Sequence, residues 1–203
     1  MDTKRLEYRV TAEAGTRAKP WFHPDGGALA PEVKRLRCRY AVFAEPLSDN
    51  WSASPARNED ICPGLTLFHD ADNSQFYWKQ GDGPSLVMTT YRFTGTYLSI
   101  AASLSEEMID ALGPGRHVAV RISATASRPM TVFVRLNIDV PGGREVLHEA
   151  LVLDARERWT LFDLDGARGA LDLATAAWLD VIFSDPSMSE VSIDALDVDL
   201  IDV

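Results

Sequence analysis

Apolar and polar residues alternate along most of the chain, which is the pattern of strands with one buried face. The period of two runs through residues 6–11, 36–42, 65–68, 75–79, 86–93, 96–104, 117–125, 131–140, 146–153, 158–164, 178–183 and 191–201. Turn signals rich in glycine and proline separate most of these runs. Short strands at this regular spacing predict an all-β, antiparallel sandwich rather than alternating strands and helices.

One segment has the pattern of a helix instead. Residues 105–112 begin with Ser105 as a candidate N-cap, carry two acids in the first turn, and are followed by Gly113 as a stop signal. A second short turn is predicted over 173–177. Neither segment is long enough to cover a parallel sheet, so both are additions to a β fold.

Residues 12–31 and 45–62 follow neither period. Both segments are rich in proline, and each carries a tryptophan. Loops of this length usually have a function or dock on another surface. We therefore divide the chain into an N-terminal extension, 1–63, with one or two strands and long loops, and a sandwich domain, 64–203.

The charge is negative overall and unevenly placed. The formal net charge is −10, which makes nucleic acid and anionic membranes unlikely partners by repulsion. Residues 1–40 hold nine bases and five acids, whereas 163–203 hold ten acids and one arginine. The basic segment could lie against the acidic C-terminal strand, in its own subunit or a neighbour; alternatively, the two are separate solvated faces.

Targeting signals are not visible in the sequence. The apolar runs are too short to cross a bilayer, and the first ten residues lack the apolar core of a secretion signal. Two cysteines make no disulfide framework. We expect a cytoplasmic protein, with Cys38 pointing inward as an unreactive thiol.

The sequence resembles an uncharacterised alphaproteobacterial family known as a domain of unknown function, over about residues 64–203. The segments that carry the resemblance are LTLFHD (65–70), YRFTGTYLSIAASL (91–104), VFVRLNI (132–138), LFDL (161–164) and AWLDVIFSDPSMSEV (177–191). The resemblance implies a jelly-roll sandwich of the galactose-binding-like, carbohydrate-binding kind. It implies no catalytic residues.

Motifs of catalysis are missing from the sequence, which shows no nucleophile elbow, phosphate-binding loop or zinc signature. We therefore expect a protein that is not an enzyme. The densest polar cluster contains His69, Asp70 and Asp72, and the carboxylate oxygens of this loop could hold a structural calcium ion. The same residue types also fill ordinary turns between strands, and we take the turn as the better interpretation.

Strand alternation also places polar and aromatic side chains together on outward faces. If their strands are neighbours, Arg121, Arg135, Asn137 and Asp180 share one sheet face. Guanidinium, amide and carboxylate groups can pair with the adjacent hydroxyls of a sugar, and Phe133 or Trp178 could supply a stacking platform. The alternative is that these charges pair with one another and solvate the face.

Two functions follow from this pattern. The first is a non-catalytic binding module for a carbohydrate or polyol, held on an outer sheet face or by rim loops. The second is a structural or adaptor protein that forms a homo-oligomer, or joins a protein partner, through its N-terminal arm.

Overall fold

The computed structural model describes residues 6–8, 21–23, 35–43, 51–52, 55–72, 75–81, 85–154, 157–167 and 169–202. About two thirds of them lie in antiparallel strands. The strands are Leu6–Tyr8 (β1), Trp21–His23 (β2), Arg35–Ala41 (β3), Trp51–Ser52 (β4), Asn58–Cys62 (β5), Leu65–His69 (β6), Gln75–Gln80 (β7), Leu86–Arg92 (β8), Leu98–Ser103 (β9), Arg116–Ala126 (β10), Met130–Val140 (β11), Gly143–Leu153 (β12), Glu157–Asp163 (β13), Ala176–Phe183 (β14) and Ser189–Asp202 (β15).

Two sheets make up the sandwich. The six-stranded sheet has the order β12-β11-β14-β9-β6-β5. The seven-stranded sheet has the order β13-β10-β15-β8-β7-β4, and β3 also pairs with β15. β10 follows one edge of β15, while β8 and β3 share the other edge. The predicted all-β, antiparallel jelly-roll sandwich is confirmed.

The core lies between the two sheets and is built from the alternate apolar positions. Val132, Val134, Leu136 and Ile138 of β11 are all fully buried. They belong to one cluster with the inward side chains of β10, which include Ile122. Burying each such side chain stabilises the fold by about 1.5–3 kcal/mol. The apolar side chains at the alternating positions predicted from the sequence therefore hold the two sheets together.

The predicted helix forms over Glu106–Asp110 (α1). Ser105 caps it, because its hydroxyl accepts a hydrogen bond from the Met108 amide at 3.3 Å. The helix ends at Ala111, two residues before the predicted stop at Gly113. Within the described ranges, no helix is long and apolar enough to span a membrane.

The predicted turn over 173–177 lies earlier in the chain than expected. A single 3₁₀ turn occupies Leu171–Leu173, and β14 already begins at Ala176. The difference follows from burial, because Leu171 and Ala177 are both buried in the main core and fix where the turn ends.

Strands from the first 63 residues enter both sheets. β3 pairs with β15 in the seven-stranded sheet, and β5 pairs with β6 in the six-stranded sheet. β4 and β5 lie within 45–62, where the sequence shows no strand period. The short run NEDIC becomes a strand because Ile61 is buried in the core and the edge of β6 is open to pairing.

The basic and acidic ends of the chain meet in this fold. Arg39 donates two hydrogen bonds to Asp199, and Arg37 donates one to Asp202 at 2.6 Å. Of the two interpretations of the charge pattern, the structure supports contact between the segments, and the contact is made within one subunit. The interpretation as separate solvated faces is wrong for these residues.

Cys38 points into the core from β3, as predicted. Only 7% of its surface is exposed. Burial, followed by the negative charges of Glu107 and Asp199, raises the pKa of the Cys38 thiol to about 11. The thiol is therefore protonated at neutral pH, which makes it a poor nucleophile.

Candidate binding groove

The outer face of the six-stranded sheet brings together most of the predicted site residues. β11 and β14 are neighbours, and their register sets Arg135 opposite Asp180, Asn137 opposite Trp178, and Phe133 opposite Ile182. These positions alternate with the buried core residues of the same strands, so their side chains share the solvent side of the sheet.

A groove of about 470 Å³ opens on this face. It is lined by Phe68, Tyr97, Ser99, Arg135, Trp178, Asp180 and Ile182. β9 runs through the middle of the sheet and contributes the small side chain of Ser99, whereas larger side chains of β6 and β14 stand on either side. The contrast in side-chain size creates the concavity, and its volume lies in the range of small-molecule sites.

Asp180 is the polar centre of the groove. Only 5% of the residue is exposed, and its Oδ2 atom accepts hydrogen bonds from Arg135 Nε at 2.9 Å, Arg135 Nη2 at 2.7 Å and Asn137 Nδ2 at 3.0 Å. A buried carboxylate needs such donors to offset its lost hydration. The three bonds therefore fix the carboxylate and the guanidinium in one orientation.

This arrangement leaves one acceptor and one donor for a ligand. All three bonds end on Oδ2 of Asp180, so among the described residues Oδ1 has no donor and can accept from a ligand. Within the part of the chain that the structure describes, Arg135 bonds through Nε and Nη2, so Nη1 can donate to a ligand, and 44% of the side chain is exposed. An acceptor beside a donor matches two adjacent hydroxyl groups, each of which can donate and accept.

Trp178 is held in place by a pair of charged side chains. The Arg144 guanidinium lies over the Trp178 ring at 4.3 Å from the ring centroid. Arg144 in turn donates to Asp139 through Nε at 2.6 Å, and this hydrogen bond lowers the pKa of the Asp139 carboxyl. One side of the indole is thereby covered, and the rest of it lines the groove.

Tyr97 projects from the turn between β8 and β9, and Asp70 holds that turn. The Asp70 carboxylate accepts from the Thr96 hydroxyl at 2.5 Å, the Thr96 amide at 2.7 Å and the Tyr97 amide at 3.2 Å. These hydrogen bonds lower the pKa of the Asp70 carboxyl, and the bond from the Thr96 hydroxyl has the largest effect. Gly95 packs so closely that an added Cβ would lie 2.9 Å from the Ala71 amide nitrogen.

The candidate calcium ligands are occupied by protein contacts. His69 is buried; its Nε2 lies 3.1 Å from the Pro55 carbonyl and its Nδ1 accepts from the Ala71 amide. Asp72 forms an ion pair with Arg57. In the described part of the chain, no three metal-ligating side chains gather. These are the contacts of a hydrogen-bonded turn, and calcium binding at this cluster stays an untested alternative.

Arg121 does not join the other predicted residues. It lies on β10 in the seven-stranded sheet, where it donates to Asp197 at 2.8 Å and to Glu157 at 3.0 Å. The prediction that it shares a face with Arg135 is therefore wrong. Alternation shows which residues of a strand share a side, but it carries no information about which strands are neighbours.

The other predicted residues lie on the expected face in two different positions. Asn137 is 3% exposed and does not line the groove, but its Nδ2 donates to Asp180 at 3.0 Å and to the Arg135 carbonyl at 3.4 Å. Phe133 is 41% exposed and stands beside Ile182, just outside the groove lining. Arg135, Asp180 and Trp178 line the groove itself.

Four lining residues were not predicted as site residues: Phe68, Tyr97, Ser99 and Ile182. Phe68 and Ile182 follow the alternation, since both occupy outward positions between buried neighbours. An aromatic residue at an outward position was the sequence signal that could have identified Phe68 as a site residue. Tyr97 falls within the alternating run 96–104, but β9 begins only at Leu98, so the turn before the strand sets the position of Tyr97.

The chain belongs to a family described as "Family of unknown function (DUF6478)", whose model matches residues 8–200. The match begins much earlier than residue 64, which corrects the extent of the resemblance expected from the sequence. No curated protein matches the chain.

Several solved structures are similar to this chain at low sequence identity. A xylan-binding CBM22-1 domain from Paenibacillus barcinonensis Xyn10C is 13% identical, with a TM-score of 0.45 over 86% of this chain and 99% of that domain. The C-terminal family 22 carbohydrate-binding module of Clostridium thermocellum Xyn10B is 12% identical, with a TM-score of 0.42 over 78% and 90%. A match to bacteriophage CBA120 tailspike protein 4 (10% identity, TM-score 0.44) covers 66% of this chain but only 19% of the tailspike chain.

Proposed function

We propose that this protein is a non-catalytic binding module that takes a carbohydrate or similar polyol in the groove of the six-stranded sheet. The observation that carries the proposal is the fixed pair of Asp180 and Arg135. The pair presents an acceptor and a donor between aromatic walls. Sugars combine hydroxyl groups with apolar ring faces, so they use both kinds of surface.

The groove supports binding rather than hydrolysis. Most glycoside hydrolases place two carboxyl groups on either side of the bond that is cleaved. Among the described residues that line the groove, Asp180 is the one carboxylate, and Arg135 is paired with it. A carboxylate held in one orientation by three hydrogen bonds is suited to fixing a ligand.

A binding assay with one aromatic variant tests the proposal. Isothermal titration calorimetry would measure the binding of neutral cello-, xylo-, manno- and galacto-oligosaccharides to the full chain. At least one should bind with a micromolar to millimolar dissociation constant. Tyr97→Ala should weaken that binding about tenfold, because it removes one aromatic wall while leaving the backbone bond to Asp70 in place.

Tyr91→Ala is the matched control. Tyr91 is also an exposed tyrosine, but it lies on β8 in the seven-stranded sheet. This variant should bind as the unchanged protein does. The proposal fails if no saccharide binds at millimolar concentration, or if the two tyrosine variants lose affinity equally.

A further inference from the structure

We infer that the ligand is an uncharged oligosaccharide that lies across the strands and continues beyond the groove onto Phe133. This inference rests on the proposed function and specifies its ligand. The register sets four side chains in one row across the sheet, which we call the cross-strand row: Phe68, Ser99, Ile182 and Phe133. Its first three members line the groove, and Phe133 stands on the next strand.

The length of the row indicates more than one sugar ring. Phe68 and Phe133 are separated by three strand spacings, or roughly 14 Å. That distance exceeds the width of a single pyranose ring. A ligand that contacts both aromatic side chains is therefore an oligomer whose long axis is perpendicular to the strands.

Phe133 lies on a surface that suits apolar sugar faces. It is 41% exposed, although the other apolar side chains of β11 are buried. Ala150 lies opposite it on β12, and Val152 of the same strand is 46% exposed. These side chains extend the apolar wall beyond Ile182, so the surface is continuous with the groove and has the same aromatic and aliphatic character.

The charge of the site favours an uncharged ligand. Arg135 and Asp180 are the charged residues among the described lining, and they neutralise each other. The neighbouring Arg144 is likewise paired with Asp139. The chain carries a net charge of −10, which repels acidic polysaccharides.

A size series of one neutral oligosaccharide tests the inference. Calorimetry at pH 8 would compare the monosaccharide through the hexasaccharide of the series that binds in the first assay. The affinity of the full chain should increase with oligosaccharide length until the oligosaccharide is long enough to contact Phe133. Phe133→Ala should bind the longest member about tenfold more weakly and the shortest binder as before. Phe133→Tyr keeps the ring and should restore the gain.

Two further measurements separate the possible failures. Affinity for the neutral hexasaccharide should stay constant between about 0.05 and 0.5 M NaCl, because no net charge is paired on binding. Oligogalacturonate of the same length should not bind. The inference is overturned if Phe133→Ala binds every length normally or if the acidic oligomer binds more tightly. In either case, weaker binding by Tyr97→Ala would still support the proposal that the groove is the binding site. If the unchanged chain binds no saccharide, both proposals are overturned.

Discussion

Asp70 is a positioning residue for the groove, although its sequence neighbourhood suggested a metal ligand. Its carboxylate joins the end of β6 to the turn that carries Tyr97. Three donors on one carboxylate stabilise its charged form. The position of an aromatic wall therefore depends on the ionisation of a side chain that does not line the groove.

Asp70→Asn should lower both the melting temperature and the affinity for saccharide at pH 7. The folded pKa of Asp70 is below its ordinary value of 3.8. The stabilisation it provides is therefore complete above that pH and is lost as the pH falls through the lower, folded pKa. Thermal melts between pH 7 and pH 2.5 should show the gap between variant and unchanged protein closing below about pH 4.

Asp72→Asn is the control for that experiment. Asp72 lies two residues away, and its side chain is 75% exposed in a surface ion pair. Such pairs contribute little to stability, so its melts should match those of the unchanged protein. Equal effects of the two substitutions would show that Asp70 has no special part in holding the turn.

At the scale of a single element, β3 shows how burial determines what an ion pair contributes to the stability of the fold. Arg39 and Arg37 are two residues apart, and each pairs with an aspartate of β15. The Asp199 side chain is 1% exposed, whereas that of Asp202 is 21% exposed. Burial raises the pKa of Asp199, and the Arg39 guanidinium opposes that shift.

Arg39→Met should destabilise the fold by about 2–3 kcal/mol, because it leaves a buried carboxylate unpaired. Arg37→Met should cost less than about 1 kcal/mol, since its partner can be hydrated. Urea unfolding at pH 7 measures both. The loss in Arg39→Met should diminish at acidic pH, where Asp199 becomes protonated. Equal losses in the two variants would contradict this account.

The sequence predicts the strands better than it predicts the site. Alternation along β11 correctly places Val134 inside and Arg135 outside, because one residue of shift would bury charge. It cannot place Arg121, since sheet neighbours are set by how distant strands pair. Tyr97 was missed for a different reason: it opens the alternating run 96–104, but β9 begins at Leu98, and the turn before it determines where the tyrosine lies.

At the scale of the whole molecule, the sandwich includes strands from nearly the full described chain. β3 and β5 precede residue 64, yet they contribute the buried Cys38 and Ile61 to the core. They also satisfy backbone groups along β15 and β6. The interior of the sandwich is therefore completed by residues that the sequence analysis placed in an extension.

A fragment of residues 64–203 should fail to melt cooperatively, because it lacks β3, β4 and β5 and exposes the core faces they cover. A chain that begins at residue 34 keeps all strands of both sheets and should give a cooperative transition. Near-ultraviolet circular dichroism during heating distinguishes the two. Equal melting of the shorter fragment and the full chain would show that residues 1–63 add nothing to the core.

The placement of β15 also constrains how the protein is made. This strand contacts β10 along one edge and β8 and β3 along the other, so three distant parts of the chain meet on it. During synthesis, the edges of β3, β8 and β10 that pair with β15 stay unpaired until residues 189–202 have emerged from the ribosome. Partly made chains with bare strand edges are prone to associate. We therefore expect a chain that stops before residue 189 to aggregate more readily than the chain that includes β15.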